Sequence, residues 1–132
     1  MKGKFILKSD VDREQQDWGV TGWISRPSMT EAKGITFMEV ELGPGSGHAF
    51  HKHPNQEEVI YVQSGQIEQW LETEKKMLGP GDSIFIDADV VHASFNDGDE
   101  PAILIVVLSP CDGEGGYTVD EMADQEPWKG LR

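Results

Sequence analysis

Apolar and polar residues alternate along most of this 132-residue chain. In ITFMEVEL (residues 35–42), Met38, Val40 and Leu42 share one parity while Glu39 and Glu41 share the other, the pattern of a half-buried antiparallel strand. Glu58, Ile60 and Val62 also share a parity, so an acidic side chain falls on a face of core aliphatics. Ser64-Gly65 reads as a hairpin turn. In the returning strand Ile67, Gln69 and Leu71 face one way, and Glu68, Trp70 and Glu72 the other. Leu78-Gly79-Pro80-Gly81-Asp82 is another tight turn, followed by strand segments at 83–86 and 90–95 and a turn at Asn96-Asp97-Gly98-Asp99. AILIVVL (102–108) is apolar at both parities and predicts a strand buried on both faces.

The ends are less regular. Residues 4–7 form a short strand candidate and 10–16 a polar, charged connection. WGVTGWI (18–24) reads as an edge strand, its Trp18 and Trp23 either packed on the sheet face or touching a second subunit, and Arg26-Pro27-Ser28 breaks the pattern. After Pro110 the chain becomes glycine-rich at Gly113, Gly115 and Gly116. Thr118 with Glu121 resembles a helix capping box and predicts one or two helical turns over 119–123, ended by Pro127. The tail with Trp128 either lies over the rest or hangs free. Many short strands, glycine and proline turns and almost no helical period predict an all-β sandwich or barrel.

Length adds one constraint: 132 residues make one domain, with a barrel core over about 35–110, N-terminal strands over 1–34 and a C-terminal extension over 111–132. Eleven Lys and Arg against 24 Asp and Glu give a net charge of −13, which argues against nucleic acid and anionic membranes as partners and favours solubility. Cys111 is the only cysteine, so no intramolecular disulfide is possible. The N-terminal apolar stretch is too short for a signal peptide and none approaches a membrane span, so the cytoplasm is the expected location.

The candidate chemistry lies in GSGHAFHKHPNQEEVIYVQSG (45–65). His51 and His53 are two apart, so an extended segment puts both imidazoles on one face. His53-Pro54-Asn55-Gln56 reads as a turn, and Glu58 opens the strand beyond it, so two adjacent strands can aim two imidazoles and a carboxylate at one point. His92, in a later apolar strand, can supply a third imidazole. Three imidazole nitrogens and one carboxylate suit a divalent transition metal better than Ca²⁺ or Mg²⁺.

The same stretch resembles the first signature of the cupin superfamily: Gly45, five residues, His51-x-His53, four residues, Glu58, six residues, Gly65. The second signature is met at Gly81, His92 and Asn96, whereas Asp87 and Asp89 stand where the family has Pro and Gly, so the loop there differs in shape. The resemblance implies a double-stranded β-helix, the cupin jelly-roll barrel. It also implies metal ligands at His51, His53, Glu58 and His92, holding one Mn, Fe, Ni, Co, Cu or Zn ion. An ionised Glu58 turned into a small barrel also demands a counter-charge or metal. His48 differs in parity from His51 and His53 and reads as a rim residue outside that set; Glu57 faces solvent by alternation. Asp87 and Asp89 read as an acidic turn in solvent rather than carboxylates at a pocket mouth.

Four protein ligands leave one or two positions open for a substrate or O₂. The resemblance therefore implies a metal-dependent oxidoreductase, dioxygenase-like, acting on a small enolic, phenolic or thiol substrate. A non-catalytic ligand-binding or sensory protein and a sugar isomerase or epimerase are the alternatives. Met38, Val40, Ile60 and Leu71 are candidate pocket walls, and Gln69 is the candidate polar group among them; no catalytic residue is named. Apolar surface at 102–108 and at the Trp pair points to a homodimer.

Overall fold

The computed structural model describes residues 2–132. A 3₁₀ turn at Lys8–Asp10 precedes β1 (Asp12–Gln16) and β2 (Gly19–Ser25), and one turn of helix, α1 (Pro27–Thr30), leads into the barrel. The barrel strands are β3 (Thr36–Leu42), β4 (Gly47–Lys52), β5 (Glu57–Ser64), β6 (Ile67–Leu71), β7 (Glu74–Leu78), β8 (Ser83–Ile86), β9 (His92–Phe95) and β10 (Ala102–Ser109). The tail adds β11 (Asp120–Glu121) and a 3₁₀ turn at Trp128–Gly130. All pairings are antiparallel. They form a six-stranded sheet, β1-β2-β3-β10-β5-β8, facing a five-stranded sheet, β11-β4-β9-β6-β7.

Alternation explains which faces meet. Residues of one parity on β3, β5 and β10 are withdrawn from water between the sheets, with Leu42, Val62, Leu104 and Leu108 at 2% exposure or less. Each such side chain contributes about 1.5–3 kcal/mol relative to an exposed one. A second cluster lies on the outside of the five-stranded sheet, where Phe50, Trp70 and Ala93 pack beneath Met122, Ala123 and Trp128 of the tail. Trp128 Nε1 donates to the Glu72 carbonyl at 3.1 Å, and the Arg132 guanidinium stacks 3.9 Å over Phe95 while pairing with Glu68 and Asp97. The tail therefore lies over the barrel.

Several expectations are corrected. Residues 4–7 form no strand; Phe5 is 94% exposed, with no sheet edge to hold it. The polar stretch expected as a connection contains β1, because its backbone pairs residue for residue with β2 from Asp12↔Trp23 to Gln16↔Gly19. That pairing makes β2 an interior strand rather than an edge, and Trp23 is fully buried. EKKML (74–78), which carries no clear alternation, returns as β7 after a turn at Glu72, where φ is 56°. In β10 only Ala102, Leu104, Val106 and Leu108 are fully buried; Ile103, Ile105 and Val107 face outward and are half-buried, because no element among the described residues covers the outer face of the six-stranded sheet there. The helical turns expected over 119–123 are replaced by β11, and the Thr118 hydroxyl donates to Asp112 instead of capping a helix.

Candidate metal centre

His51 and His92 are direct register partners in the β4/β9 ladder, and their ring centroids lie 4.3 Å apart. His53 follows β4 at the turn into β5, and Glu58 lies on the inward parity of β5 with Ile60 and Val62. Both sheets thus contribute to one point. The donor atoms of His51, His53 and His92 all lie within 4.8 Å of one another. The Glu58 carboxylate adjoins two of them, its Oε1 lying 2.8 Å from His92 Nε2 and 3.4 Å from His53 Nε2. All four residues are 6% exposed or less.

Each imidazole is oriented by a backbone carbonyl. Nδ1–H of His51 donates to the Ala49 carbonyl at 2.7 Å, that of His53 to Thr118 at 2.8 Å and that of His92 to Val90 at 3.0 Å. A carbonyl only accepts, so the proton of each neutral ring sits on Nδ1 and the Nε2 lone pair is left for the centre. Glu58 Oε1 and His92 Nε2 are buried without a hydrogen-bond partner even though they are only 2.8 Å apart. Two lone-pair atoms held that close in a dry site repel unless a proton or cation lies between them. The donor set therefore fits a divalent transition ion, which the three Nε2 atoms could hold with the Glu58 carboxylate beside two of them.

His48 is the residue that alternation misplaces. Between the pairs His48↔Ser94 and His51↔His92, β4 carries one more residue than β9. That bulge reverses parity and brings His48 onto the inner face. Its ring lies parallel to His51, with centroids 3.5 Å apart, and Trp18 stacks on its other side at 4.2 Å. Glycines flanking turns were visible in the sequence, but nothing there marked this bulge.

A cavity of about 40 Å³ opens beside the donor atoms. Met38, Val40 and Ile60 line it, with Leu104 and Val106 among further aliphatics. Gln69 and Leu71 do not. They line a separate cavity of about 200 Å³ beside β6, β7 and β8, and the Gln69 amide is engaged by Ser94, which gives its hydroxyl proton to Gln69 Oε1 at 2.6 Å. Asp87 and Asp89 are exposed and line neither space, and Asp89 pairs with Lys52 at 2.8 Å. Tyr117, which sequence reasoning passed over, lines the smaller cavity from the tail, 5.5 Å from the His53 ring. Gln56, also passed over, is 1% exposed; its Nε2 donates to the carbonyls of Pro110 and Gly116, and its Oε1 accepts from Thr118 N–H. Gly116 at φ 100° also accepts from Thr36, and a Cβ there would lie 2.7 Å from that hydroxyl.

Electrostatics follow from this crowding. Burial, with His53 and His92 nearby, lowers the His48 pKa to about 3. Burial and the neighbouring imidazoles of His48, His92 and His53 hold His51 well below the usual histidine value. Burial opposes ionisation of Glu58, yet the adjoining imidazoles of His92 and His53 hold its carboxyl well below the usual range. Burial also opposes protonation of His53, but its contact with Glu58 outweighs this and raises it. The sign for metal-free protein follows. Below pH 6.5 the unfolded chain protonates His48 and His51 while the folded chain resists, so stability falls as pH falls; His53, raised, is protonated in both states there and drops out. Chemical denaturation of the stripped protein from pH 7 to 5 should show stability falling ever more steeply, towards two protons' worth, about 2.8 kcal/mol per pH unit. A flat profile would contradict this.

Two antiparallel sheets enclosing a three-histidine cluster and a carboxylate define a jelly-roll protein with a metal-competent interior. The model of the family described as "Cupin domain" matches residues 38–108, and the chain belongs to the cupin superfamily. Protein SchB of Streptomyces halstedii is 37% identical over 109 residues, covering 83% of this chain and 79% of that protein. Tetracenomycin polyketide synthase protein TcmJ of Streptomyces glaucescens is 26% identical over 105 residues, 80% of this chain and 70% of that one. Among solved structures, the polyketide cyclase RemF from Streptomyces resistomycificus superposes with a TM-score of 0.76 at 22% identity, covering 96% of this chain and 90% of that one. The chain spans only about a third of the length of the curated germin-like proteins it also matches (34–37%). Among the described residues, no helix is long and apolar enough to cross a membrane.

Proposed function

We propose that this protein is a metal-dependent enzyme acting on a small enolic or phenolic substrate, with one divalent transition ion held by His51, His53, Glu58 and His92. The observation that carries the reading is the buried, partnerless pair of Glu58 Oε1 and His92 Nε2, beside two more imidazoles whose Nε2 atoms are freed by carbonyl-bound Nδ1–H groups. When bound, the ion supplies Lewis-acid polarisation of a chelating oxygen, or a redox centre if it is Fe, Mn or Cu. The chain's own residues do the rest. The carbonyls of Ala49, Thr118 and Val90 fix the imidazoles, Met38, Val40, Ile60, Leu104 and Val106 keep water out, and Tyr117 presents a phenol at the cavity.

Dioxygenase-like oxidation is the first reaction class. A redox-neutral reaction such as ring closure is the second, supported by TcmJ and RemF, whose names refer to polyketides. Loading the protein separately with Fe²⁺ and Zn²⁺ and supplying 1,3-dicarbonyl and phenolic compounds separates them. Turnover with O₂ uptake confined to Fe²⁺ supports oxidation, and turnover with Zn²⁺ supports the redox-neutral class. Ligand retention without product under either ion would overturn the enzyme reading and leave a binding protein.

A second copy of the chain is the partner we assign to the outer face of the six-stranded sheet. Phe37, Val107, Val59 and Phe85 are successive register partners across β3, β10, β5 and β8, with Ile105 beside Tyr61 in the next row. Val59, Tyr61 and Phe85 are 41%, 44% and 56% exposed, a contiguous apolar surface on an otherwise acidic chain. Light scattering should give a dimer, and Phe85→Lys with Val59→Lys should give monomer. A wild-type monomer would count against this assignment.

A further inference from the structure

We infer that the cavity selects a planar chelator carrying one negative charge, with its oxygens inward and its ring gripped by Trp18, His48 and Tyr117. This deepens the proposed function and rests on its metal centre.

The charge balance comes from the lining. Glu58 is the only carboxylate among the residues around the cavity, and no Lys or Arg is among them. Three neutral imidazoles, one carboxylate and a divalent ion sum to a single positive charge. A singly ionised chelator, such as the enolate of a 1,3-dicarbonyl or the phenolate of a 2-acylphenol, neutralises that charge. A dianion such as oxalate leaves one buried negative charge with no cation in the wall to meet it. The 2.6 Å hydrogen bond to Gln69 also commits the Ser94 hydroxyl proton, so Ser94 offers no donor for a second carboxylate.

Shape comes from exposure. Most of the lining is fully buried, and the lining residues that reach solvent are Trp18, His48 and Tyr117. All three are flat rings. Trp18 and His48 are nearly coplanar in orientation, 6° apart, and stack at 4.2 Å. Tyr117 is fixed against Trp23, edge to face at 5.3 Å, on a tail segment clamped by Gln56. A cavity of about 40 Å³ admits little more than two chelating oxygens, so the rest of a ligand must leave through this mouth. Aromatic surface favours a flat, unsaturated body there over an aliphatic one.

The test uses the full chain in three forms: wild type, Trp18→Leu and Tyr117→Leu. Each is first loaded with Ni²⁺, with circular dichroism and metal content compared. Failure of wild type to load would overturn the metal reading and this inference with it, and that result appears before any chelator is added. Loaded protein is then titrated by calorimetry with tropolone (planar, singly ionised, with a ring), acetohydroxamate (planar, without a ring) and oxalate (dianion), each affinity taken relative to that for aqueous Ni²⁺. We expect tropolone to be favoured over oxalate by at least about tenfold, and at least one mouth substitution that loads normally to weaken tropolone by about tenfold while sparing acetohydroxamate. Equal or tighter oxalate binding, or losses shared equally by tropolone and acetohydroxamate, would overturn the inference.

Discussion

His92→Ala is expected to remove stoichiometric metal from the purified protein, lowering affinity for Zn²⁺ or Ni²⁺ by more than about a hundredfold in a competition titration. Changes to groups that merely orient a ligand typically cost 10–100-fold, and loss of the ligand itself exceeds that. His92 is the instructive position because it lies between the others: its Nε2 is 2.8 Å from Glu58, and its ring is 4.3 Å from His51. The variant leaves a buried carboxylate whose neighbours are His53 at 3.4 Å and apolar wall. Stability of the metal-free form should therefore change as well, with Glu58 drawing its proton from His53 or solvent. Retention of one equivalent of tightly bound metal by His92→Ala would refute the assigned ligand set.

The second large effect is expected at a residue that touches no candidate ligand directly. Gln56→Leu should destabilise the fold by about 3 kcal/mol in chemical denaturation and weaken metal binding about tenfold or more. The side chain forms three hydrogen bonds, to the carbonyls of Pro110 and Gly116 and from the Thr118 N–H, and it is 1% exposed. Leucine strands these groups away from water. The metal effect follows because the Thr118 carbonyl accepts from His53 Nδ1–H, so releasing the tail releases one imidazole. Unchanged affinity in a folded Gln56→Leu protein would show that His53 needs no such anchor.

The central strands were legible in the sequence because each carries one buried face: β3 and β5 show strict alternation, and the turns at Gly43-Pro44-Gly45 and Ser64-Gly65 delimit them. The spacing that draws His51, His53, Glu58 and His92 together was legible for the same reason, since period and turn length carry the geometry. What escaped was whatever depends on distant partners. β1 and β7 are polar strands, formed by backbone pairing with a neighbour rather than by burial. The tail forms β11 because β4 offers an open edge, which outweighs its local helical signal. Gln69 points inward as alternation demands, yet it lines a separate cavity and its amide is engaged by Ser94.

The bulge in β4 has a consequence for how such a protein diverges. Inserting one residue into β9 beside Ala93 would match the two strands and leave residue 48 three positions from His51 on an even pleat, turned out to water, while His51 and His53 kept their phase. The outer rings of the stack could thus be gained or lost by a single-codon length change without touching the inner donors. Substrate preference and metal retention would then be free to evolve on separate tracks.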